Sequence, residues 1–296
     1  MSERILAIDG LCAALSPRGR SADGAALLRA VSLAVAVGEV HGLVGMSGAG
    51  KSLITKAILG ILPAGIELTG GSIRFAGNEL IGCPEARYRQ LLGREIALIP
   101  QDPLTALNPS RRIEAQMTDV MRLHLSLTRR AARARALALL RDVRIREPEA
   151  VLRRYPHELS GGMRQRVLIA IGFACEPRLI IADEPTTSLD VTVQKEILRL
   201  IRDLQRRQNT ALLFVTHDLG VVAKICQRVS VLHAGMILEH GATADIMAAP
   251  RHPFTRALFA ATPRYDAPAE ALAPVPAAVL SEIAGAAQRF DAARRG

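Results

Sequence analysis

Gly45-Met46-Ser47-Gly48-Ala49-Gly50-Lys51-Ser52 has the residue types and spacing to hold a chain of phosphates, G-x-x-x-x-G-K-[ST]. Its glycines free the backbone, so that N–H groups from Gly45 to Gly50, Ser47 and Ala49 included, can turn toward phosphate oxygens. Lys51 supplies a point charge for the β- and γ-phosphates, and the Ser52 hydroxyl can ligate Mg²⁺. Leu53 belongs to the same binding set, at the start of a helix whose positive dipole end favours an anion. Alone, such a run is also compatible with a glycine-rich turn and a solvated lysine. The context decides: Val40-His41-Gly42-Leu43-Val44 reads as a buried strand, and Leu53 to Leu62 reads as an apolar helix.

Two further runs carry chemistry. Leu179-Ile180-Ile181-Ala182-Asp183-Glu184 is an apolar strand ending in two carboxylates, the way a parallel strand delivers acids to a phosphate site. Asp183 can hold Mg²⁺ through water, and Glu184, one residue on, can aim at an attacking water. Leu159-Ser160-Gly161-Gly162-Met163-Arg164-Gln165-Arg166 places an N-capping Ser160 before a glycine pair. Gly161 and Gly162 would expose backbone N–H groups at a helix start, a second anion site.

The elements that must position these residues follow from patterning. Ile5 to Leu15 and Leu27 to Val37 read as antiparallel strands, joined by the polar stretch Ser16 to Gly24. Gly70 to Phe75 and Gly93 to Pro100 read as short strands. From Asp102 to about His157 the chain is helical in pattern and rich in arginine. Thr128 is placed to cap a helix Arg129 to Val143, with Leu137 and Leu140 inward and Arg129, Arg130, Arg133 and Arg141 in water. Leu179 to Ala182, Ala211 to Thr216, Arg228 to Leu232 and Met236 to Glu239 read as strands, the last two flanking the turn His233-Ala234-Gly235. Residues 266–296 are rich in Ala and Pro; Pro268, Pro274 and Pro276 mark a tail, with a short helix possible from Ala277.

Composition narrows the setting. The 296 residues suffice for one large α/β domain with a subdomain, or for two modest domains. With no Trp, 3% aromatics and 49% hydrophobic residues, the core must be aliphatic; mean hydropathy is +0.20. No apolar stretch reaches membrane-spanning length, and Met1-Ser2-Glu3-Arg4 carries no secretory signal. Cys12, Cys83, Cys175 and Cys226 lack metal-binding spacing and read as reduced thiols. The net charge of +10 is almost all arginine, without interleaved aromatics. That favours a solvated basic surface near membrane headgroups over a base-reading groove.

Taken together, these motifs resemble the ATP-binding cassette (ABC) ATPase family over residues 3 to 265. Leu159–Met163 matches the family's signature LSGGM run, and Gln101 in Gln101-Asp102-Pro103 matches its Q-loop. Ser188-Leu189-Asp190 matches its D-loop, and His217 in Thr216-His217-Asp218 its switch histidine. The wording around these motifs resembles the dipeptide/oligopeptide/nickel importer ATPases. It includes the run Ile99 to Pro109, the run Ala182-Asp183-Glu184-Pro185-Thr186-Thr187-Ser188-Leu189-Asp190, and Pro250 to Leu258.

The resemblance implies a P-loop α/β core, an N-terminal antiparallel β subdomain, and an inserted helical subdomain at about 102–165. The nucleotide-binding domain would run 1–265, with a C-terminal extension at about 241–265 and a tail at 266–296. It implies hydrolysis of ATP with Mg²⁺, driving import of a small solute, first of all a di- or oligopeptide, with nickel as runner-up. Lys51, Gln101, Glu184 and His217 would be catalytic, and Ser52, Gln101 and Asp183 would serve the metal. Two ATPase chains, identical or paralogous, would sandwich ATP between Lys51 of one and Ser160 and Gly162 of the other, with Asp190 communicating across the dimer. Two permease subunits would be direct partners and a solute-binding protein an indirect one, at the cytoplasmic face of the cell membrane. Two departures stand out. No aromatic residue precedes Phe75, and the position aligned with the family's adenine-stacking aromatic is Leu15, so a stack of ~1–3 kcal/mol is missing. No cysteine follows Cys226, so the iron–sulfur cluster linked to many relatives is not expected. A soluble ABC ATPase acting on nucleic acid or ribosomes is the competing class. It is disfavoured because the chain has neither a long coiled-coil insertion nor a second cassette, and nucleic acid is not an expected partner.

Overall fold

A computed structural model describes residues 3–16, 24–187, 190–261 and 275–294. The chain forms two compact units, one from residues 1–83 with 214–296 and the other from 84–213.

The first leg of the first unit is built from β-strands. β1 (Arg4–Leu15) lies between β2 (Ala26–Ala36) and β4 (Ile66–Phe75), antiparallel to both, and β5 (Asn78–Glu79) adds the fourth strand in the order β2-β1-β4-β5. Ile8 pairs with Leu33 on one side and Ile73 on the other. Alternation sends Leu6, Ile8, Leu11, Leu28, Val31 and Ile73 inward, each at most 1% exposed. Burying each such side chain contributes ~1.5–3 kcal/mol, which is how a core without Trp holds together. β3 (Val40–Val44) is buried along its whole length, and its one polar side chain, His41, is paired with Ser230 Oγ through Nε2 at 2.9 Å. The helix after it, α1, is Lys51–Ile58 and stops short of the expected Leu62. Gly60 takes a left-handed φ of +66°. Its N–H donates to Ala57 O at 3.2 Å and that of Ile61 to Lys56 O at 3.0 Å, closing the helix in a Schellman turn.

The second unit opens with α2 (Glu85–Leu91) and β6 (Ile96–Ile99). β6 is shorter than the Gly93–Pro100 reading, because Gly93 turns at φ +84° and its N–H closes on Ile96 O at 2.7 Å. The helices α3 (Pro103–Ala106), α4 (Ile113–Leu125), α5 (Arg129–Asp142) and α6 (Pro148–Arg153) follow, then α7 (Gly161–Gly172). Thr128 caps α5, its Oγ1 accepting from Ala131 N at 3.2 Å, as expected. The inward stripe differs by a residue: Ala132, Ala136, Leu139 and Leu140 are buried, while Leu137 is only partly so. The i, i+4, i+7, i+8 spacing of those four makes the better single face. β7 (Leu179–Asp183) runs parallel to β6, with Ile99 opposite Ala182. α8 (Val191–Gln208) ends where Asn209 turns left-handed at φ +52°.

β8 (Ala211–Thr216), buried throughout, leads back into the first unit, followed by α9 (Leu219–Ile225). β9 (Arg228–His233) lies parallel to β3 and forms a hairpin with β10 (Met236–Ala242) about the expected turn. α10 (Thr243–Ala248) and α11 (Pro253–Ala260) follow, and α12 (Ala277–Ala293) is a 17-residue helix starting at the expected residue. Pro268 and Pro274 lie outside the described residues. Cys12, Cys175 and Cys226 are buried free thiols, and Cys83 is half-buried. Burial pushes the Cys175 and Cys226 thiols up, which keeps them protonated and inert.

Candidate functional site

In the first unit, β3 delivers the chain into the loop that leads to α1. Gly45 sits where no side chain fits, since a Cβ there would lie 2.2 Å from the carbonyl oxygen of Leu232 on β9. Gly48 and Gly50 hold φ values of +79° and +109°. Ala49 is buried, and its carbonyl accepts from Gly235 N at 3.0 Å. Lys51 opens α1 and turns its ammonium back into the loop, where Nζ donates to Gly45 O at 2.8 Å and Met46 O at 3.1 Å. The residue is only 6% exposed, and a buried cation without such acceptors would be costly. Ser47, Gly48 and Ser52 are exposed, while Gly50 and Leu53 are half-buried. No acidic side chain stands in the first turn of α1, so none of the helix's own residues quenches the positive end of its dipole. His217 is exposed just beyond β8. The backbone after it is fixed by Asp218, whose Oδ1 accepts from Gly220 N at 2.8 Å and Val221 N at 3.2 Å. Leu15, the position that the family resemblance aligns with a stacking aromatic, is 45% exposed.

In the second unit, the parallel register of β6 and β7 sets Gln101 and Glu184 at one level, each two residues past the Ile99–Ala182 pair. Gln101 Nε2 donates to Glu184 Oε2 at 3.2 Å, so these two expected site residues meet. Thr187 Oγ1 donates to the same oxygen at 2.9 Å, and Thr187 N closes a turn on Glu184 O at 3.1 Å. Glu184 itself is left-handed, with φ +47°. For a non-glycine residue this costs about 1–3 kcal/mol, a strain that tends to collect at functional sites. Asp183 and Glu184 are both half-buried behind four fully buried strand residues. The role of Thr187 was not legible from motif spacing. Its signal is local: a hydroxyl three residues past an acid that ends a strand.

Ser160 caps α7, its Oγ accepting from Met163 N at 3.3 Å. The helix it opens runs 12 residues, with Leu159 buried as its anchor. A Cβ on Gly161 would meet nothing within 4 Å, and one on Gly162 only Val193 Cγ1 at 3.6 Å. Arg166 ties the same helix down, donating to Val143 O at 2.9 Å and Glu196 Oε2 at 2.6 Å. Asp190 is exposed and caps α8, with Oδ1 accepting from Thr192 N at 3.0 Å and Val193 N at 2.9 Å. Its neighbours Ser188 and Leu189 lie outside the described residues.

Among the described residues, no group of three or more His, Cys, Asp or Glu side chains is arranged to hold a metal ion. Of the residues expected to serve a metal, Ser52 in the first unit carries a hydroxyl, and Gln101 and Asp183 in the second carry an amide oxygen and a carboxylate. That donor chemistry fits Mg²⁺, which takes one or two carboxylates and fills its shell with phosphate oxygens and water. Likewise, no helix among the described residues is long and apolar enough to cross a membrane.

Comparison with known proteins agrees with this geometry. The family model described as ABC transporter matches residues 28–187. A probable D,D-dipeptide transport ATP-binding protein of Escherichia coli (strain K12) is 48% identical over 253 residues, 85% of this chain and 77% of that protein. A dipeptide transport ATP-binding protein of Bacillus subtilis (strain 168) is 39% identical over 274 residues, 92% of this chain and 81% of that protein. Among solved structures, a dimeric ATP-binding cassette in a post-hydrolysis state with ADP and Pi superposes with a TM-score of 0.70. It covers 80% of this chain and 98% of its own, at 22% identity, a likeness of fold. An ATP-binding subunit of an ABC transporter gives a TM-score of 0.65 at 29% identity, covering 82% of this chain and 92% of its own.

Proposed function

The chain belongs to the ABC transporter family, and from that membership we propose that it is the ATP-hydrolysing subunit of an importer of di- or oligopeptides. The observation that carries the chemistry is the loop from Gly45 to Ser52, closed against β9 at Gly45 and holding the Lys51 ammonium inside itself. The relatives named for dipeptide transport, matching four-fifths or more of the chain, carry the peptide assignment.

The residues divide the work. Gly45, Ser47, Gly48, Ala49, Gly50, Ser52 and Leu53 wrap the phosphates with N–H groups, and Lys51 neutralises the β- and γ-phosphates. Mg²⁺, when bound, offsets phosphate charge and would be held by Ser52, Gln101 and Asp183. Glu184 orients the attacking water and draws its proton. Gln101 and Thr187 hold the Glu184 carboxylate in its resting direction. His217 stabilises the γ-phosphate. Ser160, Gly161 and Gly162 serve the nucleotide of a second ATPase chain, and Asp190 lies in the same interface. The glycine pair supports this division, because the chain's own packing does not require it: a Cβ at Gly161 would stand in open space. An approaching nucleotide does require it. The chain works at the cytoplasmic face of the membrane, bound to two permease subunits, with a solute-binding protein delivering the peptide.

The test is peptide uptake by cells carrying Lys51→Ala together with the wild-type permease subunits. Uptake should fall to background while the protein remains with the membrane fraction. Unchanged peptide uptake, unchanged nickel uptake, and co-purification with nucleic acid would together overturn the transport reading.

A further inference from the structure

The C-terminal helix α12 has no part in the function proposed above, yet it reaches the phosphate loop through a continuous set of hydrogen bonds. Ile283, Ala287 and Asp291 fall at i, i+4 and i+8 on one face of the helix, and the first two are 4% and 7% exposed. Asp291 clamps Arg29 of β2 with both oxygens, Oδ1 accepting from Nε at 2.7 Å and Oδ2 from Nη2 at 2.8 Å. The Arg29 and Asp291 side chains are 12% and 24% exposed, so this bidentate pair is shielded from water. Nη2 also donates to Ala26 O on β2 itself at 3.0 Å, and the remaining donors of Arg29 face the β9–β10 turn. Its Nη1 donates to Ala234 O at 2.7 Å, and its backbone N–H donates to Gly235 O at 2.8 Å. Gly235 in turn donates its N–H to Ala49 O in the phosphate loop, at 3.0 Å. The packing leaves no slack along this path. A Cβ on Gly235 would lie 2.1 Å from Leu27 O, and one on Gly50 would lie 3.0 Å from Leu28 Cδ2 and 3.7 Å from Gly235 Cα. The turn is therefore pressed between β2 and the phosphate loop, and the Arg29 side chain adds one bond to the two backbone bonds that hold it there.

We infer that Asp291 and Arg29 are positioning residues for nucleotide binding, and that α12 braces the phosphate loop from behind through the 234–235 turn. The inference rests on the phosphate-loop reading. Asp291 touches no nucleotide; it holds the guanidinium that holds the turn, and the turn holds Ala49. Without its carboxylate partner Arg29 keeps only the Ala26 and Ala234 carbonyls, and its guanidinium can turn away from Ala234. The loop then samples geometries in which its N–H groups diverge, so affinity falls while the chemistry of a bound nucleotide is unchanged. The sequence separation explains why no motif announces the pair: its members stand 262 positions apart.

The experiment measures MgATP binding to the full chain by calorimetry, alongside steady-state hydrolysis. Asp291→Asn and Asp291→Ala should raise Kd and KM by about threefold to tenfold, with kcat kept within about twofold. Asp291→Glu, which can still reach the guanidinium, should restore most of the affinity. Arg294→Ala is the matched control. It removes a bond from the C-terminal end of the same helix to Thr69 O at 2.9 Å without touching Arg29, and its Kd should equal wild type. Wild-type Kd in Asp291→Asn, or an equal rise in Arg294→Ala, overturns the positioning role and leaves α12 a structural appendage. Lys51→Ala separates the two readings. If it abolishes binding while Asp291→Asn does nothing, the brace alone is wrong; if it binds MgATP like wild type, the phosphate-loop reading fails and the brace fails with it.

Discussion

Gly45→Ala is the sharpest single test of how the phosphate loop is built. The new Cβ would lie 2.2 Å from Leu232 O and 3.2 Å from Ala49 Cβ. The first distance falls roughly 1 Å short of any tolerated contact, and its partner is backbone on a strand that is itself paired to β3. Neither side is a flexible chain end, so the loop must move away from β9 by about that 1 Å. Overpacking of this kind costs about 1–3 kcal/mol, and a 1 Å displacement of binding groups can cost on the order of 10²-fold in turnover. The comparison substitution is Gly241→Ala. Its Cβ would meet Ile246 Cδ1 at 3.4 Å, an ordinary contact, and it should change stability by less than about 0.5 kcal/mol. Urea unfolding gives the stability difference, and calorimetry with MgATP gives the affinity. Wild-type stability and wild-type nucleotide affinity in Gly45→Ala would refute the reasoning, because they would mean that the close approach to Leu232 does not exist in solution.

Two other outcomes follow. Glu184→Gln preserves shape and an acceptor for Thr187 but removes the base, so ATP turnover should fall by about 10²–10⁴-fold while ATP stays bound; wild-type hydrolysis would take Glu184 out of the mechanism. Stability should also decline in acid through Glu239 and His233. Burial disfavours the charged form of Glu239, but the neighbouring Thr255 hydroxyl, hydrogen bonds from the Arg251 N–H at 2.8 Å and the His252 N–H at 3.1 Å, and the His252 charge outweigh it and hold its carboxyl below the ordinary range. Its stabilisation is therefore present above the unfolded value and lost as pH falls through the lower folded one. Burial alone lowers His233, whose ring lies 4.5 Å from that of Phe254. The neutral ring is the folded form, so its contribution is complete above about pH 6.5 and is lost as pH falls through its lowered folded value. Glu239→Gln should flatten the carboxylate part of this profile in thermal melts taken at stepped pH, and an unchanged profile would remove Glu239 as a cause.

What could be read from the sequence, and what could not, divides by range. The loop between β3 and α1 was legible because its demands are local: a buried apolar run, glycines where the backbone must turn, and a lysine at the first helical position. The meeting of Gln101 and Glu184 was half legible. Both residues stood out by type and by family resemblance, but their distance depends on β6 and β7 being parallel and in one register, which no short pattern states. The extent of α1 was overread because Ile61 and Leu62 continue the apolar pattern past Gly60, while the Schellman turn depends on Gly60 adopting φ +66°. Leu137 was placed inward where Leu139 is buried, since either can accompany Leu140 on a helical face until the neighbouring helices choose.

The glycines of the two anion motifs show where this division has consequences for function. Gly45 and Gly161 look alike in the sequence, each beginning a glycine-rich approach to a helix. In the structure they answer different questions. Gly45 is demanded from within, because the Leu232 carbonyl occupies the space of its side chain. Gly161 is not, since a Cβ there meets nothing within 4 Å, and an alanine would favour the first turn of α7 by reducing the freedom of the unfolded chain. Stability alone would thus tolerate or prefer alanine at this position. The proposed function supplies a reason for glycine there, the close approach of a phosphate to the start of α7. Gly161→Ala should accordingly leave thermal stability equal to or above wild type while lowering ATP turnover, and it should do so only in preparations where two ATPase chains pair. A loss of stability in that variant would show that the demand for glycine is internal after all, and the argument for a partner's nucleotide at Ser160 would lose its structural support.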